Sequence, residues 1–93
     1  MEVTKVDAIT QKSFYGKALQ IDHDGIKYLK SYDTIVCAIK NGNLIRLWSG
    51  YSLTTMNHIN AFCIHNGLQG SNKKEWNNME VKSIEIPIEV SNV

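Results

Sequence analysis

The stretch IVCAIKNGNLIRLWSGYSLTTMNHINAFCIHNG, residues 35 to 67, decides the fold, because the hydrophobic period changes inside it. Its first half is strand-like on both sides of Asn41-Gly42, a dipeptide suited to a two-residue turn that needs positive φ. The predicted hairpin sets Ala38 opposite Ile45 and Val36 opposite Leu47, with Ile35 facing Trp48 on the reverse side. Apolar residues on both faces mark a central, covered hairpin. From Tyr51 the period becomes helical. Ser52 is a good N-cap, Leu53, Met56, Ile59, Phe62 and Cys63 form an apolar stripe, and Gly67 followed by Leu68 suits a left-handed terminator. A helix over residues 53 to 66 follows, its other face carrying Thr54, Asn57, His58, Asn60 and His65.

Upstream, Asp24-Gly25 repeats the turn signal. Closing it puts Ile21 opposite Tyr28 and Asp22 opposite Lys27, one apolar and one charge-matched pair. Residues 3 to 8 read as a weaker strand, and residues 9 to 16 have no clear assignment. Downstream, Asn72 and Glu75 have capping-box spacing ahead of Trp76, predicting a short helix over residues 73 to 79. The tail alternates: Ile84, Ile86, Ile88 and Val90 point one way, Glu85, Pro87 and Glu89 the other. It reads as a half-buried edge strand, since Pro87 cannot donate to a ladder. The expected architecture is α+β: a single domain over residues 1 to 93, with a small antiparallel sheet of two hairpins plus terminal strands, packed against one main helix and one short helix.

Composition narrows the function classes. The 43% hydrophobic and 20% charged content is that of an ordinary folded chain. A chain of 93 residues supports one core, and a domain this small gains from oligomerisation or a bound partner; monomer and homodimer both fit. The formal charge is +1, without runs of like charge, so long-range attraction to a polyanion is weak. No 18 apolar residues run together, and MEVTKVDAIT holds no apolar stretch of signal-peptide length. These features predict a cytoplasmic protein without a membrane association.

No local constellation promises chemistry. His58 and His65 stand seven apart, about 10 Å along a helix axis, too far to share one zinc. Cys63 lies on nearly the opposite side of that helix from His58, and no Cys-x-x-Cys occurs. Cys37 and Cys63 occupy apolar periodic positions where a thiol is inert unless a basic group activates it. Asp22, His23 and Asp24 cluster at a turn that favours Asp for backbone reasons. No catalytic residue, metal or cofactor is therefore expected. Helices on either side of residues 67 to 70 invite a helix-turn-helix reading, but the second is short and carries Trp76 as a core anchor.

Two binding surfaces emerge. Thr54, Thr55, His58 and Asn60 are more polar and less charged than a solvated helix face usually is. That suits a hydrogen-bonding surface, and it suits at least as well Thr55 and His58 satisfying backbone or loop groups locally. Arg46, Trp48 and Tyr51 sit at the strand-to-helix corner. Arg46, Trp48, Tyr51, Thr54, Thr55 and His58 are the candidate protein-binding set, aromatic and Arg side chains being the usual anchors. The alternative is a stacking platform for single-stranded nucleic acid built from Tyr28, Lys30, Tyr32, Arg46 and Trp48, exposed together on one sheet face.

SYDTIVCAI (31 to 39), RLWSGYSLTTMNHINAF (46 to 62) and KKEWNNMEV (73 to 81) resemble short uncharacterised proteins of phages and mobile elements from low-GC Gram-positive bacteria. The resemblance covers somewhat over half the chain and brings no catalytic residues with it. It implies a stoichiometric inhibitor of host defence or replication machinery, such as a CRISPR nuclease, in the host cytoplasm.

Overall fold

The computed structural model describes residues 1 to 9 and 13 to 93. Five strands, β1 (Glu2–Lys5), β2 (Ala18–His23), β3 (Ile26–Ser31), β4 (Thr34–Lys40) and β5 (Asn43–Arg46), precede α1 (Leu53–His65), α2 (Lys73–Asn78) and α3 (Ile88–Ser91). The strands form one antiparallel meander in the order β1-β2-β3-β4-β5, so the fold is α+β as the sequence implies.

Both dipeptide turns form. Asp24 and Gly25 adopt φ of 50° and 79°, Asn41 and Gly42 of 53° and 77°. The resulting pairs include Ile21↔Tyr28, Asp22↔Lys27 and Ala38↔Ile45. Two further turns complete the meander. Tyr15 and Gly16 take positive φ between β1 and β2, and Tyr32 takes φ 54° between β3 and β4. Of the unassigned residues 9 to 16, numbers 10 to 12 lie outside the described residues.

Strict alternation fails in β4. Leu29 pairs with Cys37 while Lys30 pairs with Ile35, so Val36 is an extra residue. Val36, Cys37 and Ile39 then join the core under α1, while Ala38 and Ile35 belong to the opposite face. The register that pairs Cys37 with Arg46 continues in the bond from Leu47 N to Val36 O (3.0 Å), as expected, but the Trp48 amide donates to the same Val36 O (3.2 Å), so Ile35 does not pair with Trp48. Leu47 turns to one face and Trp48 to the other.

α1 starts where Ser52 Oγ accepts the Thr55 amide and ends on Gly67 at φ 78°. Met56, Ile59, Phe62 and Cys63 are buried against the sheet, with Leu29 and Cys37 in the same cluster. Each of these larger side chains contributes roughly 1.5–3 kcal/mol by leaving water. Leu53 departs from the predicted stripe and stands 69% exposed. The short helix α2 carries the reciprocal Asn72–Glu75 capping box and buries Trp76 completely.

The tail differs most from expectation. After one parallel bridge between Arg46 and Val81, and a bond from Lys82 N to Arg46 O, the chain leaves β5 and crosses the sheet face opposite α1. Residues 84 to 87 form no strand, and Pro87, with φ −55° and no amide to donate, starts the four-residue α3 instead. This rotation buries Val90 against Ile21, Tyr28 and Ala38 and turns Ile88 out to solvent.

Candidate functional site

Arg46, at the end of β5, is 4% exposed and spends every guanidinium N–H inside the protein. Nε donates to Trp48 O (2.8 Å), one terminal nitrogen to Trp76 O (2.8 Å) and Met79 O (3.3 Å), the other to Ser49 O (2.7 Å) and Gly50 O (3.3 Å). Its plane also lies 4.7 Å from the centre of the Trp76 ring. A planar fork with five donors is the one side chain able to satisfy five carbonyls at once. Trp76 Nε1 donates to Gly50 O (2.9 Å), closing the corner. A Cβ on Gly50 would lie 2.4 Å from Trp48 Cζ2, so this position admits no side chain without displacing the indole. The Arg46 to Ser52 corner is therefore an internal clamp joining β5, the loop before α1, and the end of α2.

Thr55 and His58 face inward and so do not line the binding surface expected of this helix face. Ser31, the last residue of β3, brings its Oγ to 2.8 Å from His58 Nδ1 and 3.1 Å from Thr55 Oγ1. All three residues are buried, His58 at 1% exposure. Phe14 meets the imidazole edge-on at a centroid distance of 4.5 Å, and Tyr32 tilts over it at 5.5 Å. Desolvation lowers the His58 pKa from its ordinary 6.5, favouring the neutral ring. A Ser–His contact invites comparison with a nucleophile and its base, but this hydroxyl is enclosed and shared with Thr55. The arrangement pins α1 to the end of β3.

The cysteines are equally enclosed. Burial pushes the Cys63 thiol up to about 11, and Cys37 rises well above its ordinary range through burial and then the proximity of Cys63. Neither is set up as a thiolate nucleophile. Among the described residues no cluster of three or more His, Cys, Asp or Glu could hold a metal ion, and no helix is long and apolar enough to cross a membrane. A surface cavity of about 260 Å³ is lined by Ile9, Phe14, Asn57, Asn60, Ala61, Ile64 and Gly70, none of them titratable.

The candidate sets separate accordingly. Of the protein-binding set, Arg46, Thr55 and His58 are internal, Trp48 and Tyr51 are half-buried against the core, and Thr54 is exposed. Lys73 Nζ sits 5.1 Å above the Tyr51 ring. Of the nucleic-acid set, Tyr28 is buried beneath the tail on the face opposite Trp48, Lys30 donates to Val93 O, and only Tyr32 stands out. The structure does not bring Tyr28, Tyr32 and Trp48 onto one exposed face.

It does bring Tyr32, a member of the nucleic-acid set, together with Tyr15, which the sequence did not single out. The meander places the β1–β2 turn, the β3–β4 turn and the start of α1 at one end of the sheet. Tyr32 N donates to Lys17 O (2.8 Å), joining the two turns, and the Ser31–Thr55 bond brings the first turn of α1 alongside. Tyr15 is 77% exposed and Tyr32 50%, each at a φ above +50°. Bulky residues avoid that region. The Tyr15-Gly16 dipeptide, placing a second residue of positive φ after the first, was the signal available in the sequence.

The matched family model spans residues 1 to 78, from β1 through α2 and including both turns and the Arg46 corner. The chain belongs to DUF8033, a family of unknown function. In this family member the tail that covers the second sheet face lies beyond the matched region. No curated protein and no solved structure matches the chain.

Proposed function

We propose that the protein is a non-enzymatic binding module that blocks another protein by stoichiometric contact, using the end of the sheet that carries Tyr15, Tyr32, Thr54 and Leu53. The observation behind this reading is the pair of exposed tyrosines held at positive φ. A left-handed backbone costs a bulky residue roughly 1–2 kcal/mol, and a side chain left in water returns little of that through burial. Asn or Gly would serve the first turn better, so stability of the isolated chain does not account for tyrosine at position 15, whereas Tyr32 recovers part of its cost by tilting over the His58 ring at 5.5 Å. Tyrosine is among the side chains that dominate protein interfaces. Leu53, exposed at the first position of α1, adds apolar area to the same end.

The resemblance to phage and mobile-element proteins directs the choice of target toward host defence or replication machinery, with a CRISPR nuclease as the leading candidate in an anti-CRISPR-like role. The test is capture from a Gram-positive host lysate with micromolar bait, followed by titration of the protein into the captured enzyme's own assay. Inhibition complete at a fixed molar ratio supports the reading. Absence of a specific partner, or inactivation by far less than one equivalent, contradicts it, the latter pointing to catalysis.

A further inference from the structure

Asn-Gly occurs twice in the chain, at Asn41-Gly42 and Asn66-Gly67, and the structure treats the two very differently. Asn41 tips the β4–β5 hairpin, where residues 40 to 43 are all exposed. Its side-chain amide has no hydrogen bond to another described residue, and nothing lies within 4 Å of where a Cβ on Gly42 would stand. Asn66 caps α1. Its Nδ2 donates to Gln20 Oε1 (2.8 Å) and Phe62 O (2.7 Å), and the amide of Gly67 donates to Ile64 O (3.1 Å).

We propose that Asn41 is a site of spontaneous, water-consuming deamidation, and that the fold protects Asn66 from the same reaction. The Gly42 amide nitrogen, deprotonated by hydroxide, attacks Asn41 Cγ; a five-membered succinimide closes and the side-chain nitrogen leaves as ammonia. Water then opens the ring at either carbonyl, giving aspartate or isoaspartate with no change of oxidation state. At Asn41 the attack needs only the exposed hairpin tip to open. At Asn66 the attacking nitrogen is engaged as a donor and the leaving amide is held by two acceptors, so reaction waits for the end of α1 to come apart.

The two products differ in consequence. Aspartate is compatible with the turn, because Asp24-Gly25 already adopts φ values within a few degrees of those of Asn41-Gly42. Isoaspartate inserts a carbon into the backbone between residues 41 and 42, which breaks the closing Lys40↔Asn43 pair and loosens β5, the strand that carries Arg46. Either product replaces a neutral amide with a carboxylate and lowers the formal charge of +1 by one, so the modified species separate on ion exchange.

The test incubates the full chain in mildly alkaline buffer, folded and in concentrated urea, and follows both sites by peptide mapping with fragmentation that distinguishes aspartate from isoaspartate. In the folded protein Asn66 should convert at least about tenfold more slowly than Asn41, because its reaction requires a larger opening. In urea the two rates should converge. Equal rates in the folded protein, or an Asn41 that stays intact while the urea control converts fully, overturn the proposal. The Asn41→Asp variant should keep native amide exchange at Ile45 and Leu47; accelerated exchange there would overturn the claimed tolerance of the aspartate product.

Discussion

Replacing Arg46 with Met should destabilise the protein severely. Methionine keeps the length and most of the apolar stem but removes five donors from the carbonyls of Trp48, Ser49, Gly50, Trp76 and Met79. Leaving a buried acceptor without its donor costs about 1–3 kcal/mol. Trp76 O keeps the Met79 amide and Gly50 O keeps the Trp76 indole N–H, so the carbonyls left without a donor are those of Trp48, Ser49 and Met79, of which the one on exposed Ser49 can recover water. Two to three carbonyls at about 1–3 kcal/mol each, together with the lost contact to the Trp76 ring, give a total of about 3–5 kcal/mol. For a domain this size each kcal/mol lowers Tm by about 4–8 °C, so Arg46→Met should lose at least about 12 °C. Arg46→Lys keeps the charge but cannot fork to five acceptors and should lose about half as much. Urea denaturation followed by tryptophan fluorescence measures both, since Trp48 and Trp76 line the clamp. A loss below about 1 kcal/mol in Arg46→Met would refute the clamp.

Three further outcomes follow from the same geometry. Since burial lowers the pKa of His58 below the 6.5 it has when unfolded, the unfolded chain binds the extra proton first; this contribution to stability is complete above about pH 6.5 and fades as pH falls toward the folded value, a slope that His58→Gln should flatten in urea midpoints across that range. Gly50→Ala drives its methyl group into the Trp48 indole and should cost about 1–3 kcal/mol, read as a lowered urea midpoint. Tyr15→Asn relieves left-handed strain at an exposed position and should stabilise the isolated protein by roughly 0.5–1 kcal/mol while weakening partner capture; a loss of stability would show that Tyr15 serves the fold.

Much of the fold was legible because local signals sufficed. Asp24-Gly25 and Asn41-Gly42 fix their hairpins through a backbone requirement few other pairs meet, and Ser52, Gly67, Asn72 and Glu75 mark helix ends through hydrogen bonds made within a few residues. Readings that needed a distant partner failed. Ile84 to Val90 alternates like a strand, yet whether a segment joins an edge or crosses a face depends on what the edge offers, and Pro87 favours a helix start as readily as an edge. Thr55 and His58 read as a binding surface because Ser31, which draws them inward, lies more than twenty residues away along the chain. Arg46 is expected at a binding surface and lies instead among internal carbonyls, since sequence cannot distinguish an anchor facing a partner from one facing its own backbone. Tyr15 was missed because its turn falls in a stretch without hydrophobic periodicity.

Site-specific photocrosslinking tests the central claim most directly. With a benzophenone amino acid placed in turn at Tyr15, Tyr32, Val3 on the β1 edge and Asn77 on α2, one host protein should be captured from the first two positions and not from the others. Capture from Val3 or Asn77 with silence at both tyrosines would contradict the account, placing recognition elsewhere on the molecule.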